Sequence, residues 1–100
     1  MLEKTLEKKF VEAISAMGGR AVKGPAYQYK GIPDRIAVLP NGGGTVWVEF
    51  KNGVYTLQPL QLYWKNLLTG SDPDRYMIVD SEESLTNCIN KCKSFCKKGN

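Results

Sequence analysis

The chain has 100 residues, 42% hydrophobic and 24% charged, with 14 Lys and Arg against 10 Asp and Glu, for a net charge of +4. That is one globular domain, residues 1–100, with a small core, so a large substrate must bind on its surface, and the basic balance favours an anionic partner, nucleic acid first. It contains no histidine, which excludes within one chain a histidine-based nuclease site, a Ser-His-Asp triad and a histidine zinc site.

Residues 2–17 place Leu2, Leu6, Phe10, Ala13, Ile14 and Met17 at helical spacing, and Gly18–Gly19 stop the helix. "RAVKGPAYQY" alternates weakly and breaks at Gly24-Pro25, which predicts one short strand and a loop. Residues 34–39 and 45–51 are two strands joined by "PNGGG". A helix follows over about 58–68, with Thr56 as its N-cap, Pro59 in its first turn and Gly70 at its end. "SDPD" is a turn, "RYMIVD" a fourth strand, and Ser81 with Glu82 and Glu83 opens a last helix running to about Lys97. The order is α-β-β-β-α-β-α, an α/β fold.

Cys88, Cys92 and Cys96 lie at i, i+4 and i+8 of that last helix and read as small buried apolar groups, not a disulfide framework or a zinc site. The aromatics Trp47, Tyr55, Tyr63, Trp64 and Tyr76 read as core or interface. "MLEKTLEKKF" is too charged for a signal peptide and no apolar run reaches membrane-spanning length, so the expectation is a cytoplasmic protein, not secreted and without a membrane partner.

The hairpin raises the functional question. Both of its strands are apolar on both faces, which predicts a central position in a sheet covered on each side. Yet it carries Asp34, Glu49 and Lys51. With Asn41–Gly44 as a four-residue loop, Leu39 pairs near Val46, Ile36 faces Glu49 and Asp34 faces Lys51. Period-two alternation then puts all three charges on one face at one end, with Asp34 and Glu49 diagonal neighbours roughly 7–8 Å apart. Two crowded carboxylates repel unless a cation stands between them. Lys51 can serve in that role as a structural charge cluster. Alternatively, an all-oxygen ligand set suits a hard cation, Mg²⁺ or Mn²⁺.

"GIPD" followed by "EFK", with Asp34 and Glu49 fifteen positions apart across a hairpin, looks like the PD-(D/E)xK nuclease core. More narrowly, "GIPDRIAVLPNGGGTVWVEFK", with "GG" and a Lys upstream and "LQPLQ" downstream, resembles the VRR-NUC family over about residues 3–80. The departures are Gln58, where Ser or Thr is more usual before the Pro, and a short loop after Lys51. The resemblance implies a restriction endonuclease-like core, a central mixed four-stranded sheet flanked by helices. It implies phosphodiester hydrolysis of DNA by a metal-activated water, with Mg²⁺ or Mn²⁺ held by Asp34, Glu49 and the Phe50 carbonyl. Lys51 would orient water or stabilise phosphate charge, and Gln61 would position either of them. Pro33 would preset the turn into the strand and Gly31 would allow close backbone approach. Lys23, Lys30 and Arg35 are the candidate substrate contacts.

The family's helix glutamate matches Glu7. On the helical wheel Glu7 falls at the edge of the apolar stripe, at roughly 100° from Leu6, with Glu3 inside it at roughly 60° and Glu12 opposite at roughly 240°. Stand-alone members of the family are small, often phage-borne homodimers acting on branched DNA such as four-way junctions, which places this chain in a bacterial or phage-infected cytoplasm. The exposed members of the aromatic set, with Tyr63, Trp64 or Tyr76 foremost, would form the dimer contact. The rival expectation is a non-catalytic DNA-binding module whose carboxylates and Lys51 form a structural cluster.

Overall fold

A computed structural model describes residues 2–53 and 56–97; Tyr55, one of the aromatics singled out above, lies outside them. The elements are α1 (Leu2–Ala16), β1 (Arg20–Lys23), β2 (Arg35–Leu39), β3 (Gly44–Phe50), α2 (Pro59–Thr69), a 3-10 turn (Pro73–Arg75), β4 (Tyr76–Val79) and α3 (Glu82–Phe95). The four strands form one sheet in the order β1-β2-β3-β4. The first two pairings are antiparallel and β3–β4 is parallel. The result is the expected mixed four-stranded sheet with three helices around it.

One face of this sheet makes the core. Leu6, Phe10 and Ile14 of α1 and Leu85, Cys88 and Cys92 of α3 meet Ala21, Ala37, Leu39, Val46, Val48, Phe50 and Val79 in a single buried cluster. The strand members share one parity, as period-two alternation requires. Phe10 and Phe50 meet edge to face, with centroids 5.7 Å apart. Cys88 and Cys92 are buried free thiols inside this layer and Cys96 is half-buried at its margin.

The opposite face is covered only in part, which corrects the expectation of a hairpin packed on both sides. Val22 and Val38 stay exposed there, and α2, the helix on that side, has no buried residue. Tyr76 lies under it, 6% exposed, with the Lys65 ammonium over its ring.

The hairpin register also differs. Leu39 pairs with Gly44, Ala37 with Val46 and Arg35 with Val48, so the loop is Pro40–Gly43. Asn41 and Gly42 both take positive φ (56° and 73°), and Gly43 N–H donates to the Pro40 carbonyl at 3.0 Å. Two consecutive left-handed residues make the turn that matches strand twist, and centring it on Asn41-Gly42 draws Gly44 into the ladder. Arg75 fixes this turn from outside: its guanidinium donates to the Gly43 carbonyl at 2.6 Å and stacks on Phe95 at 3.7 Å.

Helix α2 begins two residues later than Thr56 would have it. A residue before proline is forced out of helical geometry. Gln58 is accordingly extended (φ −70°, ψ 158°) and is itself the N-cap, with Pro59 as the first helical residue. Helix α3 is capped as expected, by the Ser81 hydroxyl accepting from Ser84 N–H at 3.0 Å, and ends at Phe95, two residues short of Lys97.

Candidate functional site

Three segments meet at one end of the sheet: the entry to β2, the exit of β3 and the first turn of α2. Extending the β2–β3 ladder by one residue beyond Arg35–Val48 puts Asp34 directly opposite Glu49. The two are therefore cross-strand partners rather than diagonal neighbours. Such pairs have Cβ atoms about 4.5–5.5 Å apart. The change of register is two residues in sum, so the shared face survives while the carboxylates move closer.

Each carboxylate is held on one oxygen. Asp34 Oδ2 accepts from the Phe50 N–H at 2.8 Å. Backbone groups of one strand residue point the same way, so the Phe50 carbonyl is directed towards β2 as well, while Lys51 N–H turns to the Val79 carbonyl of β4 at 2.9 Å. Glu49 is 5% exposed. Its Oε2 accepts from Gln61 Nε2 at 3.1 Å and lies 3.8 Å from Lys51 Nζ. Its Oε1 is buried with no hydrogen-bond partner among the described residues.

Gln61 is the hub. Its Oε1 accepts from Lys51 Nζ at 3.3 Å and from the Gln58 N–H at 2.9 Å. The second bond is the backward half of a capping box: residue N3 of a helix reaches the backbone N–H of the N-cap. A helix-starting device thus fixes which way the amide points, oxygen to Lys51 and nitrogen to Glu49. This role of the Gln58 backbone was legible in "QPLQ", since Pro59 pins the helix start and puts Gln61 at N3, but the expectation of a Thr56 cap obscured it.

The electrostatics follow from the packing. Burial raises the Glu49 pKa from 4.5 to about 7 and the Asp34 charge adds to the rise, while the Lys51 ammonium and the nearby Asp34 backbone N–H oppose it. Burial also raises Asp34, opposed by the Phe50 N–H and reinforced by Glu7 and Glu3. The site is thus an acidic pair with too little positive charge around it.

The other residues singled out in the sequence are arranged differently. Glu7 Oε2 accepts from Arg35 Nε at 2.7 Å, and Arg35 also donates to the Ala21 carbonyl at 3.2 Å. Arg35 pairs with Val48, so it belongs to the α1 face. Glu7 and Arg35 therefore pair with each other, and Glu7 remains near enough to Asp34 to raise its pKa. Glu3, which the helical wheel sets inside the apolar stripe, is exposed and contributes to the negative field at both Asp34 and Glu49. Lys23, the last residue of β1, and Lys30, within the β1–β2 loop, are both exposed. Pro33 is fully buried, and Gly31, at φ +87°, lies so close to α2 that a Cβ there would sit 2.6 Å from the Leu60 carbonyl carbon.

Among the described residues, no group of three or more His, Cys, Asp or Glu side chains converges as a metal site. The donor set available is two carboxylates and a backbone carbonyl. No protein-family model matches the chain, and none of the curated proteins matches it.

Proposed function

We propose that this chain is a Mg²⁺- or Mn²⁺-dependent endodeoxyribonuclease with a restriction endonuclease-like core, acting as a cytoplasmic homodimer on branched DNA such as four-way junctions. The observation that carries the reading is the buried Glu49 Oε1, which has no hydrogen-bond partner among the described residues and stands opposite Asp34, whose pKa burial raises. An unpaired carboxylate oxygen in a protein interior costs free energy. One that faces a second carboxylate, as Glu49 faces Asp34, is tolerable when a cation completes the pair. Both carboxylates and the Phe50 carbonyl are hard oxygen donors, which fits Mg²⁺ or Mn²⁺.

When bound, such an ion polarises the phosphate and lowers the pKa of a water. The chain's own residues do the rest. Asp34 and Glu49 supply the anchoring oxygens. Lys51 Nζ, held by Gln61 Oε1 and close to Glu49, offers an ammonium to the charge that grows on the phosphate or to the attacking water. Gln61 ties that ammonium and Glu49 to the start of α2, so their spacing does not depend on long free side chains. Hydrolysis forms a bond from the water oxygen to phosphorus, breaks the phosphorus–ester oxygen bond and delivers a proton to the leaving oxygen.

The Lys51–Glu49–Gln61 contacts also favour the second reading, a structural charge cluster in a non-catalytic DNA-binding module. A cluster serving stability alone, however, gains nothing from a buried carboxylate oxygen that has no hydrogen-bond partner among the described residues. The two readings separate in a cleavage assay with Mn²⁺ on linear, flapped and four-way DNA. The nuclease requires the metal and loses cleavage in Asp34→Ala and Glu49→Ala, both still folded by circular dichroism. Lys51→Ala binds junction DNA but does not cut it. A binder holds DNA equally in chelator, and full cleavage by Asp34→Ala removes the site assignment.

A further inference from the structure

The loop between β1 and β2 returns the chain to Asp34. Its ends are joined where Gly24 N–H donates to the Asp34 carbonyl at 2.8 Å. The two backbones are so close there that a Cβ on Gly24 would fall 1.9 Å from the Pro33 oxygen. Inside the loop, Gln28 and Tyr29 N–H both donate to the Pro25 carbonyl, at 3.0 and 2.9 Å, and Ile32 N–H donates to Tyr29 at 3.2 Å. Outside, it is seated on α2: Trp64 Nε1 donates to the Lys30 carbonyl at 3.1 Å, and the Tyr29 ring meets Trp64 edge to face. The loop therefore has a fixed shape, set against the helix that carries Gln61.

On this fixed loop Tyr29 turns towards Trp64, whereas Tyr27 is 91% exposed. Three Cα–Cα steps of 3.8 Å separate Tyr27 from Gly24, so its Cα lies within about 11 Å of the residue bonded to Asp34. That is roughly three base steps at 3.4 Å each. From Ala13 to Pro33 the chain has three basic residues, Arg20, Lys23 and Lys30, and no acidic one. Neither Lys23 nor Lys30 is in an ion pair among the described residues.

We propose that Tyr27 is a stacking platform for an unpaired nucleobase beside the scissile phosphate, with Lys23 and Lys30 taking the flanking phosphates; this rests on the nuclease reading of the site. A rigid loop holding an aromatic ring in water has met its ordering cost before binding. A base face is available to such a ring only where it is not stacked in a duplex, at a branch point, an end or a single strand. Base–aromatic stacking is tolerant of sequence. Tyr27 therefore selects DNA by structure, favouring branched or single-stranded sites over continuous duplex.

The test uses the full chain without divalent metal and junction or single-stranded DNA carrying 2-aminopurine at successive positions around the branch. Stacking on Tyr27 changes the probe's emission at one or two positions. Tyr27→Phe and Tyr27→Trp keep that signature. Tyr27→Ala loses it and binds branched and single-stranded DNA roughly tenfold more weakly, with blunt-duplex affinity unchanged. Equal binding of all DNAs by Tyr27→Ala and wild type overturns the inference, as does an equal loss on blunt duplex. Asp34→Ala keeps the emission change. A wild-type protein that shows the emission change but never cleaves with Mn²⁺ refutes the nuclease and leaves the platform standing; cleavage without Tyr27 dependence does the reverse.

Discussion

The two faces of the sheet are built on opposite principles. The α1/α3 face buries thirteen apolar residues in one cluster. The α2 face carries Glu49, Gln61 and Asp34, leaves Val22 and Val38 exposed, and is covered by a helix with no buried residue. The first face supplies stability, and the charges on it, Glu7 and Arg35, pair with each other. The second holds the charges that cost stability, and in the proposed nuclease it is the side that meets DNA. A hundred residues provide apolar area for one well-packed face, so the division assigns the scarce core to one side and the site to the other.

The comparison breaks most visibly if the core face is cut. Phe10 is fully buried against Phe50. Phe10→Ala should cost about 3–5 kcal/mol, a large part of the roughly 5–15 kcal/mol that holds a domain together. The expected result is a protein that unfolds below physiological temperature, read by thermal and urea denaturation. A loss under 1 kcal/mol would mean that this face is not where stability resides.

The site face should respond in the opposite direction. Glu49 has its pKa raised from 4.5 to about 7 by burial and by Asp34. The folded protein therefore holds this proton to higher pH than the unfolded chain does. Between pH 4.5 and 7 the folded state binds more protons, so stability falls as pH rises through that window and stays low above it. At about 1.4 kcal/mol per unit, the penalty at pH 8 is about 3 kcal/mol. Glu49→Gln should remove it, raising the metal-free Tm at pH 8 by on the order of 10 °C while changing little at pH 4.5. A variant that melts lower than wild type at pH 8 would show that Glu49 is stabilising, as in the structural cluster.

Metal should act on the same balance. At the proposed site Mn²⁺ would compete with the proton on Glu49, so its stabilisation of the wild type should be larger at pH 8 than at pH 6, following RT ln(1 + [L]/Kd). Asp34→Ala and Glu49→Gln should each abolish most of that increment. Thermal shift with titrated Mn²⁺ reads this directly, and an equal increment in the two variants would place the ion elsewhere.

The sequence made the core face far more legible than the site face. Apolar spacing in α1 and alternation in β2 and β3 gave the elements and their order, because burial of a continuous layer leaves a periodic trace. Asp34 and Glu49 were paired on one face correctly, but their register was two residues off in sum. That depended on whether Pro40 or Gly44 joins the loop, and positive φ at Asn41-Gly42 decided it. No local pattern in the sequence reports the Glu7–Arg35 contact, which spans 28 positions. Tyr76 was expected in the dimer contact, yet it lies beneath α2. Period and spacing reveal which residues share an element, and not which side of the sheet a helix will choose.

The smallest effect on folding, and the sharpest probe of the open face, lies on α2. Leu60, Tyr63 and Leu67 fall within roughly 60° on the helix and are 52%, 56% and 58% exposed. None is charged, so two identical copies can meet there across a two-fold axis without like-charge repulsion, and apolar and aromatic residues are what such contacts favour. Beyond the edge-to-face contact of Tyr63 with Trp64, Tyr63→Ser with Leu67→Ser removes little packing within the protomer. Each change should alter its stability by no more than about 1 kcal/mol. The same pair should shift the proposed dimer towards monomer at micromolar concentration, read by light scattering, and should turn paired nicks on a four-way junction into single ones. Loss of several kcal/mol would mean that α2 is part of the core after all. A dimer that survives the double substitution would have its contact on another surface, and a wild type monomeric throughout would end the two-subunit account of symmetric cutting.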